Sequence, residues 1–97
     1  MSRPANELSV FERVVARGSF ARAADDVGLT PSAVSKLMTR LEQRLGVRLI
    51  NRTTRSLALT AEGETFLERA REILDAIDAA ESEVATVRMS PLGEATA

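Results

Sequence analysis

Residues 20–45 restrict the possible folds of this chain more than any other stretch. The run FARAADDVGLTPSAVSKLMTRLEQRL sets small and apolar residues at the offsets that two short helices require to cross at a tight turn. Ala23, Ala24, Val27, Leu29, Val34 and Leu37 form the predicted contact between the helices. Gly28 falls where the first of them reverses, a position that calls for positive φ. Thr30 and Pro31 then restart the chain as a helix, because a threonine hydroxyl accepts from an orphan amide and proline fits the first helical position. The polar residues between the apolar ones are left facing outward. This is a helix-turn-helix pattern, with its second helix beginning at Pro31 and presented to solvent.

The flanks complete a small domain. Leu8, Phe11, Val14 and Val15 recur at helical spacing, so residues 5–17 read as a first helix that ends near Gly18. Ser19 caps the helix carrying Phe20, Ala23, Ala24 and Val27, and the third helix is predicted to bury Val34, Leu37, Met38, Leu41 and Leu45. After Gly46 the segment RLINRTTRSLALT is rich in β-prone residues, as a short two-stranded hairpin around Asn51 to Ser56 would be. Leu49, Leu57 and Leu59 are expected to pack on the helices, leaving Arg48, Arg52 and Arg55 toward the exposed side or tip. The predicted fold is mainly α: a three-helix winged helix-turn-helix with a short β-hairpin wing, spanning residues 1–60.

A different pattern follows. From Ala61 to about Arg88 there is no proline, and Phe66, Ala70, Ile73, Ile77, Ala80, Val84 and Val87 are spaced by alternating steps of four and three. That is one apolar stripe held over three heptads, capped by Thr60. At 1.5 Å per residue such a helix extends roughly 42 Å, too long to bury its stripe wholly against a small head. The stripe therefore reads as a dimerisation seam over 61–88, with folding back onto the head as the alternative. Residues 89–97, MSPLGEATA, read as linker.

Composition excludes whole classes of chemistry. The 97 residues include no cysteine and no histidine, which removes thiol catalysis, disulfides, Cys/His metal sites and imidazole acid–base chemistry. No apolar run approaches the roughly 20 residues of a membrane span, and residues 1–18 lack a secretory layout, so a cytoplasmic protein with no cofactor is expected. The net charge of −1 divides unevenly. Residues 1–60 carry ten basic and five acidic side chains, +5, whereas residues 61–97 carry three arginines and nine carboxylates, −6. The head attracts phosphate and the tail is repelled by it.

In order and spacing, residues 5–88 resemble the N-terminal part of LysR-type bacterial transcriptional regulators. The resemblance rests on GSFARAADDVGLTPSAVSKLMTRLEQRLGVRLINRTTRSLALTAEG followed by the long helix. It implies sequence-specific binding to double-stranded DNA upstream of promoters, at an interrupted inverted repeat, by a homodimer paired through antiparallel linker helices or by a tetramer. It also implies a small-molecule inducer acting through an effector domain that this chain lacks, residues 89–97 being the linker to it. By position, the base-reading surface is the start of the third helix, with Pro31, Ser32, Ser35 and Lys36, and backbone contacts fall to Thr30, Arg40 and Arg52. Arg55 takes the wing position that enters the minor groove, where a guanidinium meets concentrated negative potential. Lys36 stands where arginine is more usual in the family and lacks the bidentate fork, so it is assigned either to a base or to a phosphate. Pro31 stands where relatives often carry glutamine and removes that side-chain readout.

Two other classes compete with a regulator. A winged helix used only to bind protein would expose an apolar patch or acidic residues on its third helix, which here is basic and polar. An enzyme would need a nucleophile, a base and an orienting group; no such constellation is visible, and the adjacent Asp25 and Asp26 point about 100° apart on a helix.

Overall fold

The computed structural model describes residues 6–52 and 57–89. Its elements run α1 (Glu7–Arg17), α2 (Phe20–Val27), α3 (Pro31–Leu45), β1 (Ile50–Arg52), β2 (Leu57–Leu59) and α4 (Ala61–Met89). The predicted order is thus the observed one, and the chemistry of each boundary explains it. Asn6 and Ser9 form a reciprocal capping box at the start of α1: the Ser9 amide donates to the Asn6 side chain at 2.9 Å, and the Asn6 amide to the Ser9 hydroxyl at 3.2 Å. Ser19 accepts from the Arg22 amide at 3.2 Å, and Thr30 from the Ala33 amide at 3.1 Å with Pro31 behind it. Between these two helices Gly28 has φ of 74°, the left-handed conformation that lets α2 reverse within one residue.

Val10, Phe11 and Val14 of α1, Ala23 and Ala24 of α2, and Val34, Met38 and Leu41 of α3 close on one another with Leu49 and Ile50. Each large side chain among them contributes on the order of 1.5–3 kcal/mol by leaving water. The alanines keep α2 close enough for this core to remain thin. Leu45 departs from expectation: it is 37% exposed, because the last turn of α3 runs past the core and turns its side chain toward Val47 and Phe66 in an open groove. Leu37 is only partly buried.

The hairpin is antiparallel, with Ile50 opposite Leu59, Asn51 opposite Ala58 and Arg52 opposite Leu57. Ile50, Leu57 and Leu59 lean on the helical core. Residues 53–56, including Arg55, and the linker residues 90–97 lie outside the described residues. The base of the hairpin is held by Glu42 of α3, whose carboxylate accepts from the amides of Leu49 at 2.8 Å and Ile50 at 3.0 Å. Two charge-assisted bonds to one oxygen thereby fix the direction in which the wing leaves α3.

Thr60 starts α4 as expected: its hydroxyl accepts from the Gly63 amide at 2.9 Å and donates to the Arg48 carbonyl at 2.6 Å, while its own amide donates to the Leu49 carbonyl at 3.0 Å. The helix then uses two faces. Leu67, Ala70 and Leu74 are buried against the head, and the Phe66 ring meets Phe11 of α1 edge-on, with centroids 5.4 Å apart. Ile73 (49% exposed), Val84 (68%) and Val87 point away from the head, as does Ala80, while Ile77 lies at the border, exposed but lining a recess with Leu8 and Leu74. At 100° per residue the centres of these faces lie about 90° apart. The apolar stripe is therefore divided. Phe66 and Ala70 belong in part or in full to the head, because Leu67 and Leu74 turn that side of the first turns onto α1, and only the residues from Ile73 onward remain open.

Candidate nucleic-acid interface

The sequence of α3 separates its two sides. Val34, Met38 and Leu41 anchor one side in the core, so Pro31, Ser32, Lys36 and Arg40 on the other are exposed, and Ser35 is half-buried at the margin. Thr30, exposed, is occupied as the cap. The proline does not perturb the helix because its missing amide is one that would find no partner at this end.

Arg52 joins the wing to this surface. Its guanidinium carbon lies 4.9 Å from the centroid of the Phe20 ring at the start of α2, and its Nη1 donates to the Ser35 hydroxyl at 3.4 Å. One side chain from β1 thus touches α2 and α3 together. Between α3 and β1, Thr39, Gln43, Gly46, Val47 and Arg48 border an open groove of about 470 Å³ that ends at Arg52.

The cations of the head fall into two groups. Arg13 bonds Glu12 at 3.0 Å and Asp26 at 3.4 Å, Arg17 reaches Asp26 at 3.6 Å, Arg44 pairs with Glu7 of α1 at 2.5 Å, and Arg48 lies 4.0 Å from Glu42. The hydrogen bond to Glu12, aided by the charges of Glu12 and Asp26, raises the Arg13 pKa above its ordinary value against the effect of burial. Because the shift is upward, the stabilisation it carries is complete below the ordinary arginine value and disappears only as pH rises through the raised one. In contrast, Lys36, Arg40 and Arg52 have no carboxylate partner among the described residues. Arg22, exposed on the first turn of α2, is in the same condition, and the sequence reading left it out. The sequence masks it, because Asp25 and Asp26 stand three and four positions on, the spacing of intrahelical ion pairs, yet among the described residues Arg22 pairs with neither.

Of the other residues singled out from the sequence, Ala70 is enclosed by the head and Phe66 is half-enclosed, while Ile73, Ile77, Ala80, Val84 and Val87 are open. Phe20 had been counted only as core; as the ring beneath Arg52 it also belongs to the surface. Among the described residues no group of three or more acidic side chains could hold a metal ion, and no helix is long and apolar enough to cross a membrane.

Comparison with known proteins gives a consistent result. The family model described as "Bacterial regulatory helix-turn-helix protein, lysR family" matches residues 5–64. The transcriptional regulator CrgA of Neisseria meningitidis is 48% identical over 93 residues, which are 96% of this chain and 31% of CrgA. The regulator DmlR of Escherichia coli K12 is 42% identical over 88 residues, 91% of this chain and 29% of DmlR. Among solved structures, the complex of the BenM DBD with catB site 1 DNA superposes with a TM-score of 0.81 at 30% identity, covering 87% of this chain and 93% of that one. The structure of Neisseria meningitidis CrgA gives 0.71 at 51% identity, covering 84% of this chain and 28% of that one. The chain spans about a third of the length of the curated relatives it matches.

Proposed function

The chain belongs to the lysR family of bacterial regulatory helix-turn-helix proteins, and from that membership we propose that it binds double-stranded DNA as a dimer and acts in transcription regulation. One observation carries the proposal: among the described residues, the outward face of α3 and the adjoining wing hold Lys36, Arg40 and Arg52 without carboxylate partners, while Arg13, Arg17, Arg44 and Arg48 around them each have at least one. An unpaired cation on a convex face gains by meeting a phosphate and releasing its condensed counterions. The α3 start, with Pro31, Ser32 and Ser35, takes the major groove, Thr30 and Arg40 face its walls, and Arg52 meets backbone. Arg55 is assigned to the minor groove from its sequence position alone.

Residues 1–60 are assigned to DNA and 61–88 to dimerisation, with 89–97 as linker. The open face of α4 supports the second assignment: Ile73, Ile77, Ala80, Val84 and Val87 form an apolar strip that runs on from the groove of Leu45, Val47 and Phe66. A monomer would leave both in water. A chromosomal target implies a cytoplasmic site of action. Assembly into a tetramer and response to an inducer are proposals about the whole protein.

The test is retention of sheared genomic DNA from the source organism by the purified protein at near-physiological salt, followed by sequencing. An enriched inverted repeat, its halves about one helical turn or a multiple apart, is the expected result. No enrichment over bulk DNA would overturn the proposal.

A further inference from the structure

We propose that Phe20 and Arg52 together set the hydrogen-bond polarity of Ser35, making it a donor to base acceptors and a poor acceptor from base amino groups. The inference rests on the DNA-reading role proposed above for α3. Three observations lead to it. The Phe20 ring supports the Arg52 guanidinium at 4.9 Å from its centroid, a distance at which the ring quadrupole attracts a cation. The planar guanidinium is thereby held with Nη1 toward Ser35, donating to Oγ at 3.4 Å. The Ser35 hydroxyl itself donates to no described residue, although Thr86 in α4 does donate to the carbonyl four residues earlier, the usual alternative for a helical hydroxyl.

A hydroxyl has one hydrogen to give and two lone pairs. A cationic donor on one lone pair draws electron density from the oxygen, which makes the remaining lone pair a weaker acceptor and the O–H a stronger donor. In the major groove, guanine O6 and N7, adenine N7 and thymine O4 accept, whereas cytosine N4 and adenine N6 donate. Ser35 in this setting favours guanine or thymine at its position and disfavours cytosine. Phe20 is a positioning residue: it touches no base and acts through Arg52. An isolated helix-surface serine would read either polarity and specify little.

The experiment is selection of a randomised duplex library by the 97-residue protein and four variants, Ser35→Ala, Phe20→Leu, Phe20→Tyr and Arg52→Lys, with the thermal midpoint of each measured alongside. Phe20→Leu and Arg52→Lys are expected to relax preference at the same single base position as Ser35→Ala, by about 3- to 10-fold, and Phe20→Tyr to retain it. Adding Ser35→Ala to Arg52→Lys should relax that position no further. Phe20 packs on the core, so Arg52→Lys, which leaves the core intact, keeps the test decisive if Phe20→Leu fails to fold. A wild type with a clear motif whose preference survives Arg52→Lys would overturn this proposal and leave DNA binding standing. Additive effects, or a preference for cytosine opposite Ser35, would do the same. A wild type that selects no motif would overturn the DNA reading and this proposal with it.

Discussion

Gly63, in the first turn of α4, sits directly over the carbonyl of Leu49: a Cβ at position 63 would overlap the Leu49 oxygen and come within 3.0 Å of its carbonyl carbon and 3.1 Å of Leu59 Cδ2. The same oxygen accepts the Thr60 amide at 3.0 Å, so the entry of α4 and the segment before the wing are fastened at one point. Glycine is required here for close approach of two backbones.

Gly63→Ala should therefore destabilise the protein although alanine is the better helix former. Backbone must yield, as in an overpacked core, at a cost of about 1–3 kcal/mol. In a domain of this size that lowers Tm by about 4–8 °C per kcal/mol. Circular dichroism during heating checks it, and an unchanged or higher Tm would contradict the geometry.

Glu42→Ala removes the acceptor of the Leu49 and Ile50 amides, and both are partly buried. Leaving such donors unpaired costs about 1–3 kcal/mol. Glu42→Gln keeps one neutral oxygen and should lose less. If the two variants melt alike, the carboxylate does not hold the wing base.

Val84→Glu combined with Val87→Glu alters only the open face of α4, so the head should retain its helical signal while the sedimenting species falls from dimer to monomer. Leu74→Glu, on the buried face, should unfold the head instead. A double variant that still sediments as a dimer would remove the seam from this strip.

With about four phosphates neutralised per protomer, the logarithm of DNA affinity should fall against the logarithm of salt with a slope of about −7 per dimer. Lys36→Ala tells apart the two roles left open for that side chain. A phosphate contact predicts uniform weakening and a slope shallower by about 2 per dimer; a base contact predicts a changed preference at one position. A wild-type slope near zero would exclude phosphate binding altogether.

Most of the fold was legible because its boundaries are local chemistry. Ser19, Gly28, Thr30, Pro31 and Gly46 each act on their own turn of helix, and their effects are written in neighbouring letters. The division of the α4 stripe was not, since Phe66 and Ala70 obey the heptad as well as Ile73 and Ile77 do. What separates them is the distant α1, whose Phe11 receives Phe66. A second register, Leu67, Ala70 and Leu74, was present in the sequence as the sign of a second partner face. The surface was legible in its cations but not in their pairing. Arg44 and Lys36 look alike on α3, yet Glu7, 37 residues earlier, neutralises only Arg44. Likewise no spacing rule connects Phe20 with Arg52.

Because α4 is pinned at Gly63 and again at Leu74, it leaves the head as a rigid ruler. In the proposed dimer the register of one ruler on the other would measure the span between two α3 helices. Sliding the pair by one heptad moves the heads about 10 Å along the helix axis, or about three base-pair steps at 3.4 Å each. Operator spacing would then be encoded in the placing of Ile73, Ile77, Val84 and Val87, far from any residue that touches a base.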